Sequence, residues 1–515
     1  MTPRRSAVFL ALVLVVAGAS AVLTSRSEGE PRLRRSGVNV PLDMRAFDRL
    51  AQGVRNSPVL VRNPGNPRNL VAANRVDEPE FACDLHVSAD GGATWERAVL
   101  PIPPAVPGRK AQCFSPDVAF GADGRLHVAF SSFATISGAG TVPDALWVAT
   151  SGDGGNTFEL PVKVSGPKVF EARLAADPTR AGVLYLAWVQ ATDLGSFGFT
   201  TPGNPIMVAR SDDGGATWNE AVRASAPARE RVVAPVPAVG RDGGLHLAYL
   251  DVGSDSLDYS GAHEGVAGPA HAGPWALVVA RSADGSKWDD VVVDPALVPA
   301  ARFLVLFPPS PSLVVDHGSD RVYVAFHDAR GGDADVLVWS SGDRGRSWST
   351  GRRVNDTRPG DGTDQYLPGL ATASDGRLDV VYYDRRDDPR NVMNEVSLQS
   401  SVDGGRSFTA RVRLSDRPFD SRIGASPDRG LQVAELGHRL AVVAGDGGAL
   451  AAWADTRAGS PAVGRQDLAS ALVSIRRSRQ WAPARLAGGI ALLVAGLAVG
   501  AEAMRSRHAP TPIDS

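Results

Sequence analysis

Two cysteines, five methionines, nine histidines and an aromatic content of 6 % are a thin supply of metal-ligating and stacking side chains for 515 residues. The histidines show no ligand spacing and the cysteines are too few for a thiolate cluster, so no metal centre and no cofactor is expected. Excess charge is missing too: the formal net charge is −2, which leaves no electrostatic footprint for nucleic acid. Neither a G-x-S-x-G elbow, nor a phosphate loop, nor a histidine pair at helical spacing occurs. What the chain does have is 55 glycines and 37 prolines, scattered along its length, as suits many short strands joined by tight turns.

One short phrase recurs six times: SADGGATW from Ser88, SGDGGNTF from Ser151, SDDGGATW from Ser211, SADGSKW from Ser282, SGDRGRSW from Ser341 and SVDGGRSF from Ser401. The starts lie 59 to 71 residues apart, a period that marks a repeat architecture. Physically the phrase is a turn. Its Asp (Asp90, Asp153, Asp213, Asp284, Asp343 and Asp403) accepts hydrogen bonds from the backbone of its own turn, its glycines supply positive φ, and its closing aromatic packs under the next strand. Upstream run alternating apolar stretches such as RLHVAF at Arg125, VLYLAW at Val183 and RVYVAF at Arg321. There are seven of these, the first NLVAAN at Asn69 and the last ALAAWA at Ala449. Four short antiparallel strands per 60 residues or so predict an all-β chain folded as a propeller blade by blade.

The phrase resembles the Asp box of the sialidase-like, or BNR-repeat, β-propellers. That resemblance implies a ring of blades over residues 36–475. Seven strand-two runs predict seven blades, with six as the alternative. The seventh unit lacks both the phrase and an obvious fourth strand, and a strand from around Val38–Leu42 is expected to complete it, because a propeller must close to hide its sheet edges.

A second phrase, aromatic-x-Asp-x-Arg, closes strand two in three units: Phe326, Asp328 and Arg330; Tyr382, Asp384 and Arg386; Trp453, Asp455 and Arg457. In one reading the three arginines form a cluster at the mouth that grips a carboxylate or sulfate. In the other, each Asp and Arg is a salt bridge that recurs because the architecture recurs. The stretch DTRPGDGTDQYL adds Arg358, Asp364 and Tyr366 on the same face. Sialidases as a family use an Arg-Ile-Pro motif, three arginines, a Tyr/Glu pair and an Asp. The corresponding stretch here, SPVLVRNPGNP, lacks that motif, so no catalytic residue carries over. The acidic run DVGSDSLD from Asp251 has no calcium-loop pattern.

An apolar run from Ala7 to Leu23, with small residues at Ala19 and Ala21, is expected to be a signal peptide or N-terminal anchor over 1–24. A second, from Leu486 to Ala501, predicts a membrane helix over 486–504, after a linker at 476–485 and before a cytoplasmic tail at 505–515. An exported chain with a single pair of cysteines predicts a Cys83–Cys113 disulfide. The function these features point to is a membrane-tethered, extracytoplasmic propeller that binds a glycan or a protein. The alternatives are an exo-α-sialidase-type hydrolase and an envelope assembly scaffold.

Overall fold

The computed structural model describes residues 3–23, 26–42, 53–77, 80–103, 112–136, 140–192, 203–255, 273–300, 309–424, 436–460, 464–481 and 483–505. They fall into two compact units, residues 34–474 and residues 1–33 with 475–515.

The larger unit is a seven-bladed β-propeller. Each blade is an antiparallel sheet whose strands follow one another from the axis outward. The innermost strands are Arg55–Asn63, Cys113–Phe120, Val169–Ala176, Val232–Val239, Ser312–Asp316, Gln365–Thr372 and Ala441–Gly445. All seven alternating runs seen in the sequence become second strands, from Asn66–Val76 in blade 1 to Gly448–Asp455 in blade 7. Blade 6 carries one extra short strand, Phe419–Asp420, on its third. Blade 7 takes its outermost strand, Arg26–Pro41, from the beginning of the chain. This is the expected closure, by a longer strand than Val38–Leu42. Its third strand, Asp467–Trp481, runs through most of the stretch anticipated as a linker.

The turn between strands three and four holds itself together. In blade 5, Asp343 Oδ1 accepts from the backbone N–H groups of Arg346 (3.1 Å) and Ser347 (2.9 Å), while Oδ2 accepts from Ser347 Oγ at 2.6 Å. Gly345 N–H donates to Ser341 Oγ at 2.7 Å. Such bonds to the charged form hold the carboxyls of Asp90 and Asp153 down to about 2, with Thr94 and Thr157 the main donors.

The turn also locks one blade to the one before it. A Cβ added at Gly345 would meet His246 Nδ1 at 3.2 Å, one at Gly285 would meet Tyr185 at 3.1 Å, and one at Gly92 would meet Leu450 at 2.7 Å. Blade 7 has no such turn. In its place Arg377 of blade 6, fully buried and paired with Asp379 at 2.9 Å, donates through Nη2 to the carbonyls of Gly445 (2.9 Å) and Gly448 (3.2 Å).

Cys83 and Cys113 form the expected disulfide, joining the third strand of blade 1 to the first of blade 2, with Cα atoms 5.5 Å apart. Beside it Phe81, Phe114 and Phe133 pack ring on ring, with centroids 5.0–5.4 Å apart. In the smaller unit, helices α1 (Pro3–Leu23) and α2 (Pro483–Arg505) approach so closely that a Cβ at Gly496 would lie 2.8 Å from Val15 Cγ2. α2 covers the expected membrane span. Among the described residues, however, no helix is long and apolar enough to cross a membrane, so tethering gains no support. The tail after Arg505 and residues 256–258 of the acidic run lie outside the described residues.

Candidate functional site

Second strands end, and third strands begin, on the face opposite the repeated turns. The aromatic-x-Asp-x-Arg phrase lies there, and its three arginines behave alike. Arg330 is gripped by Asp328 (2.6 Å) and by Asp294 on the outer strand of blade 4 (2.9 Å). Arg386 is held by Asp384 (2.7 Å) and by Asp356, just past the outer strand of blade 5 (2.5 Å). Arg457 is held by Asp455 (2.5 Å), by Asn39 Oδ1 (2.9 Å) and, at 4.0 Å, by Asp416 beyond the outer strand of blade 6. Each arginine thus ties its own strand two to the rim of the preceding blade. Among the described residues no contact joins any two of them. Blade 4 reaches the same end with the charges exchanged: its Asp251 accepts from Arg229, which arrives from the blade 3 side, at 2.7 Å.

Tyr366 lies in a strand instead of a loop, and it is buried. Its hydroxyl donates to Asn394 Oδ1 (2.6 Å) and accepts from Arg385 Nη2 (3.3 Å), and the Arg385 guanidinium sits 5.0 Å from the Tyr366 ring centre. Asp364 accepts from Ala334 N–H (3.0 Å) and from Asn391 Nδ2 (2.6 Å). The Ala334–Asp364 bond joins blade 5 to blade 6, and the others hold blade 6 together. On the loops of blades 5 to 7 Arg330, Arg358, Arg390 and Arg422 are exposed, Arg330 paired with Asp328 and Asp294 and Arg422 with Asp420, beside the exposed Asp356, Asp361 and Asp387.

The sequence reading passed over the channel wall. In five blades the innermost strand turns into the left-handed region at one non-glycine residue: Ser57 (φ 52°), Ser115 (50°), Glu171 (53°), Ala234 (57°) and Leu367 (50°). In blade 7 Gly437, four residues ahead of the innermost strand, does so (91°). Pairing to the second strand skips at each of the five, the mark of a β-bulge that re-aims the side chains after it. A proline follows at four of the five: Pro58, Pro116, Pro235 and Pro368. Two positions beyond each turn stand Val59, Asp117, Arg173, Val236, Gly369 and Arg439. With Ser312 of blade 5, all but Asp117 line a cavity of about 150 Å³ on the axis.

This wall carries buried charged side chains: Asp117, Glu171, Arg173 and Arg439. Desolvation pushes the Glu171 carboxyl up to about 7 and that of Asp117 up to about 6, against the pull of Arg173, while it lowers Arg173 itself. His438, next to Arg439, is held well below its ordinary value by burial and by the nearby guanidinium groups of Arg173 and Arg75. The signal was present in the sequence as Ser-Pro at 57, 115 and 310, Ala-Pro at 234 and Leu-Pro at 367. A proline demotes a strand to a sheet edge, and the innermost strand of a blade is such an edge.

No protein-family model matches the chain, and no curated protein matches it. Among solved structures it is similar to a protein of unknown function from Dyadobacter fermentans, with 14 % identity, 86 % of this chain and 99 % of that one covered, and a TM-score of 0.47. It is similar also to an ulvan lyase (13 %, 85 % and 97 %, 0.46) and to a Hadza microbial sialidase (15 %, 80 % and 73 %, 0.40). The likeness is one of fold. At such identities it transfers no residue and no activity.

Proposed function

We propose that the chain is an exported, sialidase-like propeller that binds an acidic glycan on its loop face and does not hydrolyse it. The observation that carries this reading is the rim of exposed arginines, Arg358 between blades 5 and 6 and Arg390 on blade 6, neither of whose guanidinium groups is clamped by an aspartate at hydrogen-bond distance among the described residues. Guanidinium groups recognise carboxylate and sulfate with directional, paired hydrogen bonds. Two further features favour binding over turnover. Tyr366, the tyrosine raised by the sequence, shares its hydroxyl with an amide and a guanidinium instead of a carboxylate base. The arginines of the repeated phrase already hold aspartates, which a substrate carboxylate would have to displace. Export is supported by the Cys83–Cys113 disulfide, a bond that persists in oxidising compartments.

The test is binding of immobilised sialylated and sulfated glycans to the purified chain, beside a fluorogenic sialoside assay. The double variant Arg358→Ala/Arg390→Ala is expected to bind at least about tenfold more weakly, with an unchanged melting temperature. Glycan binding that is indifferent to both substitutions would refute the rim. Release of the fluorophore at enzymatic rates would restore the hydrolase alternative.

A further inference from the structure

The axial cavity is lined by two arginines, Arg173 and Arg439, whose guanidinium groups share one carboxylate. Asp117 Oδ1 lies 3.8 Å from Arg173 Nη1 and 3.8 Å from Arg439 Nη1, too far for a hydrogen bond to either. The other oxygen, Oδ2, is taken by Leu174 N–H at 2.8 Å. Arg439 uses Nε and Nη2 on the carbonyls of Ser57 (3.0 Å) and Pro116 (2.6 Å), and Arg173 uses Nη2 on Ser310 Oγ (2.8 Å). Arg439 Nη1 is buried with no hydrogen-bond acceptor, although its residue lines open space.

We propose that this cavity holds a small monovalent anion, of the size of chloride or formate, between the guanidinium groups of Arg173 and Arg439. Two buried positive charges face one carboxylate, and an unbalanced buried charge costs far more than a balanced one. Glu171, the other acid of this wall, does not restore the balance below about pH 7: its Oε2 accepts from Ala234 N–H at 2.6 Å, its Oε1 is unpartnered, and burial holds it in its neutral form there. His438 stays uncharged beside them, and its Nδ1 meets Ser57 Oγ at 3.1 Å. An anion in the cavity would offset the second guanidinium charge, and a small turn of the Arg439 side chain would bring Nη1, which lacks an acceptor, to it. Most of the lining is apolar, Val59, Val236, Leu370 and Leu440 among it, and offers no shell of donors for a dianion. The site is separate from the arginine rim and stands or falls independently of it.

Chloride is the probe: line broadening of the ³⁵Cl resonance by the full-length chain, with formate as competitor. The wild type is expected to broaden the line and formate to reverse it. Arg173→Gln removes one guanidinium at the cost of a single hydrogen bond and should abolish the formate-sensitive part. Asp117→Asn removes the competing carboxylate and should tighten binding by about tenfold or more. Absence of formate-sensitive broadening in the wild type overturns the proposal, as does its survival in folded Arg173→Gln. Should Arg173→Gln fail to fold, Asp117→Asn decides: tighter chloride binding supports the site, and unchanged or weaker binding overturns it.

Discussion

Two kinds of acidic residue hold opposite positions in this molecule. The aspartates of the repeated turn are surrounded by donors in their own next four residues, so their charged form is favoured and their role can be read from SxDGG alone. Glu171 is different. Its burial comes from neighbouring blades packed against the innermost strand of blade 3, and nothing in FEARLAAD announces that. Because the folded chain holds the Glu171 proton more tightly than the unfolded chain, the stability this proton contributes is complete below its ordinary value of 4.5 and lost as the pH rises through 7. Glu171→Gln keeps an acceptor for Ala234 N–H and removes the titration. The variant should therefore lose less stability than the wild type between pH 5 and pH 8.5, by about 2–3 kcal/mol. Urea midpoints at the two pH values measure this. Equal losses in the two proteins would show that Glu171 does not titrate in that window.

Strands and turns were the legible elements because their rules are local. Alternation gave all seven second strands, and the six turn phrases gave the link between strands three and four. The innermost strands were less legible, since a proline within a strand argues against burial in a sheet and the channel-lining edge is visible only once the ring exists. The arginine phrase was read two ways because residues two apart on a strand fix a common side without revealing that Asp294, Asp356 and Asp416 wait on the preceding blade. Sequence was equally silent on why the turn glycines are glycines. Gly214 and Gly345 both have positive φ, +74° and +76°, but a Cβ at Gly214 meets nothing within 4 Å, whereas one at Gly345 meets Arg281 Cδ at 3.0 Å and His246 Nδ1 at 3.2 Å. Gly214→Ala is expected to cost about 1–2 kcal/mol from the backbone alone, and Gly345→Ala about 1 kcal/mol or more beyond that, from crowding against blade 4. Chemical denaturation of the pair separates the two terms. Equal costs would mean that the turn does not lock the blades.

At the scale of the whole molecule, stability depends on a joint between residues more than four hundred positions apart. The first strand closes blade 7 against Asp467–Trp481: Leu42 N–H donates to the Leu468 carbonyl (3.2 Å) and Ser470 Oγ to that of Val40 (3.1 Å). Two side chains on this strand also reach across to blade 6, Arg35 to the Leu414 carbonyl (3.2 Å) and to Asp416, and Asn39. Asn39 Nδ2 donates to the Leu414 carbonyl (2.8 Å), its Oδ1 accepts from Asp416 N–H (2.8 Å) and Arg457 Nη1 (2.9 Å), and its backbone N–H donates to Asp416 Oδ2 (2.9 Å). Sequence reasoning demanded a closing strand because an open ring exposes a sheet edge, yet it could not single out Asn39, whose partners come from blades 6 and 7 together. Asn39→Ala loses three side-chain bonds and strands Arg457 with less support, so a cost of about 2–3 kcal/mol is expected. Asn39→Asp keeps the acceptor for Asp416 N–H and Arg457, loses the bond to Leu414 and brings a second carboxylate close to Asp416, so it should recover only part of that cost. Denaturant midpoints order the three proteins, wild type above Asn39→Asp above Asn39→Ala. If Asn39→Ala is as stable as the wild type, the first strand is an appendage and the ring closes without it.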